Sequence, residues 1–320
     1  MASSGSVAAA TTAAPAKKLE PVISLSGYSK IDNILVLGCG GTGGHLVPHL
    51  ARLVSVLNSK RSRSAYASLP VMNLFLADGD VVEEKNLIRQ NFIEQDIGKN
   101  KAEVLGERYA AAFGIEIGVI PEYLERLDKF SFLKTMSRSY DNASLVIGCV
   151  DNNASRKVIN RWFCRKDTGG SDGRFWIDSG NEENSGQVVC GYNPQEYRYG
   201  QPKFNPFRKD LHSLSSGRRR GDFCLPCAVE VYPELLHIDD SFSSQESCAA
   251  RSQSAPQNMQ TNVTAAVIIM NFVQKLITRD LIKSHCVEFA ISNTFNTRLN
   301  TVKNLECVAK GRRKDWEKSQ

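Results

Sequence analysis

The 320-residue chain contains no run approaching the ~18 uninterrupted apolar residues that a membrane span needs, so no membrane partner is expected. Its nine cysteines form no disulfide framework, and Cys39, Cys149 and Cys190 lie inside apolar runs, which fits reduced thiols in a cytoplasmic protein. The five histidines lack metal-ligand spacing; His45 and His49 share one helix face and read as packing residues. No internal repeat of solenoid period is present. A sustained basic stripe is also missing. Lys plus Arg is 40 against 34 Asp plus Glu, and the excess sits partly in two local runs, Arg218–Arg220 and Lys310–Lys314. These read as solvated loop or tail, so nucleic acid is not an expected partner. Met1–Lys18 is rich in Ala, Ser and Thr but has no basic cluster ahead of an apolar core, and no Arg. It therefore resembles neither a secretory signal nor a transit peptide, and residues 1–20 are expected to form a disordered tail.

Short apolar runs alternating with helical periodicity follow this tail. Ile34–Leu37 reads as a strand buried on both faces, and Thr42–Leu57 as a helix whose early Pro48 should distort its first turns. Further strands are expected at Val71–Leu76, Ile115–Ile120, Leu145–Val150 and Phe175–Asp178, and helices at Lys101–Phe113 and Arg156–Arg165. This alternation predicts an α/β fold with a doubly wound, Rossmann-like, mostly parallel sheet. Tyr192–Gln253 is long and rich in Pro, Ser and Gly, and such a loop is usually functional. An apolar helix at Asn262–Ile277 and a strand at Cys286–Ile291 come after it. The expected organisation is a core over residues 21–191, a crossover segment over 192–261, and a C-terminal lobe over 262–320 completing the same domain.

Gly38-Cys39-Gly40-Gly41-Thr42-Gly43 joins the first strand to the first helix. Glycines let a phosphate approach the main chain, and the helix N-terminus offers unpaired N–H groups to an anion. Gly38, Gly40, Gly41 and Gly43 are thus candidate nucleotide-binding residues, and Asp78, closing the second strand, is placed to hold ribose hydroxyls. The Gly-Lys-Ser/Thr ending of a Walker loop is absent. By the glycine loop alone, a nicotinamide or flavin enzyme would be the commonest use of the fold.

The charged segment after the second strand is more specific. It reads Asp78-Gly79-Asp80, then Asn86-Leu87-Ile88-Arg89-Gln90, then Gly98-Lys99-Asn100-Lys101-Ala102, with Asp151-Asn152 after a later strand. In order and spacing these motifs resemble the ThiF/MoeB family of ubiquitin-activating-enzyme-like adenylyltransferases. The likeness covers Asn33–Gly191 well and is looser through Ile277. Trp176–Asn181, Ser185–Val189 and Glu246-Ser247-Cys248 look most like the PRTRC-system members. The resemblance implies ATP and Mg²⁺ as cofactors and a homodimer. Its implied substrate is a ubiquitin-like or sulfur-carrier protein ending in glycine, with a conjugating enzyme as a further partner. By the same resemblance Asp78 holds ribose, Asp80 binds adenosine or braces the loop, and Asn86, Gln90 and Asn152 line the pocket. Arg89 and Lys101 face phosphate oxygens, with Lys99 as the rival lysine, and Asp151 holds Mg²⁺. Bringing a carboxylate against a triphosphate requires such screening cations.

Family members that transfer the activated acyl group to sulfur carry a cysteine in the crossover loop, and Cys248 sits there with Arg251 nearby to lower its pKa. Cys224 and Cys227 form a C-x-x-C that in relatives binds Zn²⁺ with a second pair; here only the isolated Cys286 and Cys307 follow. Zinc binding and plain packing both remain open for this pair. The alternatives to carrier activation are an adenylating or dehydrating enzyme acting on tRNA or a peptide without a thioester, and a non-catalytic dimeric scaffold.

Overall fold

A computed structural model of the chain describes residues 23–24, 30–62, 72–135, 142–165, 173–193, 225–236, 258–278, 281–291 and 295–299. In chain order the strands are β1 (Ile23–Ser24), β2 (Lys30–Leu37), β3 (Asn73–Ala77), β4 (Ile117–Ile120), β5 (Asn142–Gly148), β6 (Gly173–Asn181), β7 (Ser185–Asn193), β8 (Leu281–Ile282), β9 (Ser284–Ala290) and β10 (Phe295–Leu299). The helices are α1 (Gly41–Ser62), α2 (Lys101–Phe113), α3 (Ser131–Thr135), α4 (Asn153–Cys164), α5 (Ala228–Val231) and α6 (Met259–Thr278).

Eight strands form one sheet in the order β10-β9-β7-β6-β5-β2-β3-β4, and β1 pairs with β8 in a small ribbon. The run β4-β3-β2-β5-β6 is parallel, whereas β6–β7, β7–β9 and β9–β10 are antiparallel. The fold is α/β and Rossmann-like, as the alternation predicts. β2 shows why. Ile34 and Val36 pack with Leu46 and Leu50 of α1 and Ile269 of α6, while Leu35 and Leu37 pack with Val158 and Trp162 of α4 on the opposite face. A strand covered on both sides has no polar face, hence its unbroken apolar sequence.

The chain order reverses between β2 and β5, which are neighbours in the sheet. Ligands of open α/β sheets bind beyond the carboxyl ends of the strands at such a switch point. The glycine turn leaves β2 there, and Asp151 follows β5 there.

α1 is continuous through Pro48, against the expected distortion of its first turns. Proline leaves the carbonyl four residues earlier, that of Gly44, without its helical donor. The Asn91 side-chain amide donates to that oxygen at 3.1 Å, so the missing bond is replaced from outside the helix. β7 also departs from expectation, since its stretch was not read as a strand. It pairs antiparallel to β6 over Gly186–Asn193 and receives β9 on its other side. α6 has the length and composition of a membrane-crossing helix, but half of it is buried inside the fold. Its Ala265, Ile269, Phe272 and Val273 lie in the core with α1.

Candidate active site

The glycine turn is set by close backbone approach. Gly38 adopts a φ of +94°, and a Cβ there would lie 2.6 Å from the Cys149 carbonyl oxygen. A Cβ on Gly43 would collide with the Gly38 carbonyl, so the start of α1 folds directly over the end of β2. Gly40 faces the Gln90 amide, and Gly41 faces the Asn262 amide. The Cys39 thiol is fully buried beside Asp78 and Cys149; burial pushes its pKa well up, so it is no nucleophile.

Asp78 closes β3 as expected. One carboxylate oxygen accepts from the Cys39 N–H at 2.6 Å, and the other from the Asp80 N–H at 2.9 Å. The carboxylate therefore ties the glycine turn to the loop after β3. Burial is the largest influence on its pKa, which rises to about 6 despite the nearby Lys101 ammonium and the two N–H donors, with Asp80 pushing in the same direction as burial.

Lys101 begins α2, and its Nζ lies 2.9 Å from Asp80 Oδ2. The Tyr123 hydroxyl donates to the other oxygen of Asp80, and the Tyr123 ring packs on Gly79. The Asp80 side chain thus bridges Lys101 and Tyr123. Sequence reasoning missed Asn100, which organises this region. Its side-chain oxygen caps α2, accepting from Ala102 and Glu103 N–H, while its amide donates to the carbonyls of Asp78 and Asp80. The N-cap preference of Asn before a helical stretch was the available signal. Because Asn100 anchors the helix start, Lys101 points back to Asp80. Lys99, the rival, is exposed.

Asn86 is buried. Its side-chain oxygen accepts from the Glu83 N–H at 2.9 Å, and its carbonyl accepts from the N–H groups of Arg89 and Gln90. It shapes the turn that presents both residues. His45 of α1 hydrogen-bonds the Arg89 backbone from below; burial lowers its pKa, and that bond partly restores it. Gln90 then lies over Gly40, with its Oε1 buried and unpaired among the described residues.

Asp151 is exposed just beyond β5. Asn152, grouped with it by the resemblance, is buried and caps α4 by accepting from the Ser155 N–H at 2.8 Å. Behind them lies a residue the sequence reading passed over. The Arg156 guanidinium binds Asp178 at 3.0 Å, Asn153 at 3.1 Å, and the carbonyls of Val150 and Ser179 at 2.7 and 3.1 Å. It clamps the β5–α4 loop, and so Asp151, to the end of β6. Burial raises the Asp178 pKa, and Arg156 opposes that rise.

Cys248, Arg251, Cys224 and Cys307 lie outside the described residues. Cys227 is fully buried at the start of α5, with its thiol 3.8 Å from Asn160 Oδ1. Cys286 is buried with its sulfur 3.7 Å from the Tyr232 hydroxyl. Among the described residues, no group of three His, Cys, Asp or Glu side chains could hold a metal. Such a grouping is what a structural zinc site requires. A Mg²⁺ held with a triphosphate needs less, one or two carboxylates and the phosphate oxygens. The exposed carboxylate of Asp151, just beyond β5, is of the donor type such an ion takes.

A glycine turn at a switch point, a buried carboxylate closing the next strand and a lysine beside it define a doubly wound nucleotide-binding protein. The chain belongs to the ThiF family, whose model matches residues 17–309. No curated protein matches it. Similar solved structures include Escherichia coli MccB with succinimide, at 16% identity over 84% of this chain and 64% of that one, TM-score 0.48. The E. coli MccB structure with ATP is 15% identical over 86% of this chain and 65% of that one, TM-score 0.47. Selenomethionine PaaA is 15% identical over 85% and 64%, TM-score 0.47. The chain spans just under two thirds of the length of these structures.

Proposed function

We propose that the chain is an ATP-dependent adenylyltransferase of the ubiquitin-activating kind, acting on the C-terminal glycine of a ubiquitin-like or sulfur-carrier protein. The observation that carries this reading is the joining of Cys39, Asp78, Asp80 and Lys101 in one largely enclosed cradle at the glycine turn of a ThiF-family chain. In the reaction a carboxylate oxygen attacks the α-phosphorus, the bond to the β-phosphate breaks, pyrophosphate leaves, and the acyl-adenylate remains. The turn's N–H groups and the α1 N-terminus receive phosphate oxygens. Asp78 accepts from ribose, and Asn86 holds the turn that presents Arg89 and Gln90. Lys101 exchanges its bond to Asp80 for one to phosphate, and Arg89 adds a second cation against the charge of attack. Mg²⁺ held at Asp151 would neutralise the leaving pyrophosphate.

A second step follows in this reading. The Cys248 thiolate attacks the acyl-adenylate carbonyl, AMP leaves, and the thioester passes to a conjugating enzyme or sulfur donor. The enzyme works as a cytoplasmic homodimer. Carrier-dependent exchange of labelled pyrophosphate into ATP tests the first step, and its absence with a range of glycine-ended carriers removes the proposal. A Cys248→Ala chain should keep that exchange and lose a reductant-sensitive carrier adduct. Survival of the adduct would reassign the cysteine.

A further inference from the structure

Asn262, near the start of α6, is fully buried, and its side chain reaches α1 across 220 residues of sequence. Its Oδ1 accepts from the Thr42 hydroxyl at 3.3 Å and from the Asn181 amide at 3.2 Å; that amide also donates to Thr42 at 2.6 Å. Three distant parts of the chain therefore hold this amide in one orientation. Its Nδ2 is buried with no hydrogen-bond partner among the described residues. That nitrogen packs on Gly41, the first residue of α1, where a Cβ would collide with it. Buried amide donors in native proteins are almost always paired, so a rigidly held exception marks a place where a partner arrives. The position narrows the partner's chemistry, because an N–H donor beside the N-terminus of a long helix favours an anionic oxygen.

From this we infer that Asn262 is a nucleotide-binding residue whose Nδ2 donates to a phosphate oxygen of ATP above Gly41. The inference rests on the adenylation reading and adds to it a donor from α6, outside the glycine turn and the charged loop. Nδ2 has no exposed surface, so the bond forms with a small shift of the Gly40–Gly41 turn. Gly41 is then a steric requirement of the donor as well as of the turn.

Calorimetric titration of the full chain with ATP, tripolyphosphate and adenosine tests this. In Asn262→Asp, an oxygen stays available to Thr42 and Asn181 while the donor becomes an anion. In Asn262→Ala the amide is removed without adding charge, which keeps the test open should the aspartate variant fail to fold. A folded variant, checked by its melting curve, should bind ATP and tripolyphosphate about 10- to 100-fold more weakly and adenosine unchanged. Tripolyphosphate affinity within threefold of wild type in the folded variants overturns the assignment. So does a parallel loss of adenosine affinity, which marks a purely structural role. Failure of the wild-type chain itself to bind either ATP or tripolyphosphate overturns the adenylation reading together with this one.

Discussion

Two ion pairs flank the switch point, Arg156–Asp178 fully buried and Lys101–Asp80 with a half-buried carboxylate, and their surroundings differ. Arg156 and Asp178 are enclosed, and four hydrogen bonds spread the guanidinium over α4, the β5–α4 loop and β6. The Lys101 ammonium makes a single hydrogen bond, to the Asp80 carboxylate, among the described residues. Asp80 keeps a second partner in Tyr123. A planar fork with its donors engaged cannot leave without stranding several buried groups, whereas an ammonium on a flexible stem can trade one oxygen for another. The arginine pair is therefore a fixture, and the lysine pair one whose ammonium can change partners.

Arg156→Met tests the fixture. It leaves the buried Asp178 and two carbonyls unmatched, and denaturant unfolding should show a loss of about 3–5 kcal/mol. A loss below about 1 kcal/mol would erase the contrast. Lys101→Met should instead act on chemistry, lowering carrier-dependent pyrophosphate exchange by roughly 10²- to 10³-fold. Its cost in stability should stay under about 2 kcal/mol, because Asp80 retains Tyr123 and Asp78 can take up a proton.

The third test is pH. Native Asp78 holds its proton up to about pH 6, but an unfolded Asp releases it near pH ~3.9. Between those values the native state binds more protons, so this group's contribution to stability falls as pH rises through that window. Asp78→Asn should flatten the slope. Asp178 contributes with the same sign and remains in that variant, so the Asp78 share is the difference between the two curves. An unchanged slope would show that Asp78 does not titrate there. The smallest effect is expected at Asn91. Asn91→Ala leaves the Gly44 carbonyl above Pro48 unpaired and should cost about 1–2 kcal/mol in the same unfolding assay, with exchange activity retained.

Periodicity made the elements that are buried on both faces, or capped, readable. Lys101–Phe113 matches the expected helix end for end, because Asn100 caps its start and Gly114 closes it. Ile34–Leu37 is readable because a doubly covered strand carries no polar face. β7 was not, since its two glycines and polar residues break the alternation, and its register comes from β6 and β9. The site divides in the same way. Asp78, Arg89, Lys101 and Asp151 fall at strand ends or in a contiguous motif, where spacing carries information. Asn86 and Asn152 stand in the motif too, but their side chains hold a turn and cap a helix, tasks that residue type alone does not separate from ligand binding. The Arg156–Asp178 clamp and the Thr42–Asn181–Asn262 cluster depend on which segments meet in space, and no local pattern announces them.

The bond from Thr42 to Asn262 also bears on how the protein is made. The glycine turn emerges early in synthesis, but its last neighbour follows 220 residues later, on the order of 10–40 s at ordinary elongation rates. Until α6 leaves the ribosome, the α1 side of the growing sheet lacks its cover of Ile269, Phe272 and Val273. The nascent chain must keep that apolar surface from aggregating while it waits for its final third to close the fold.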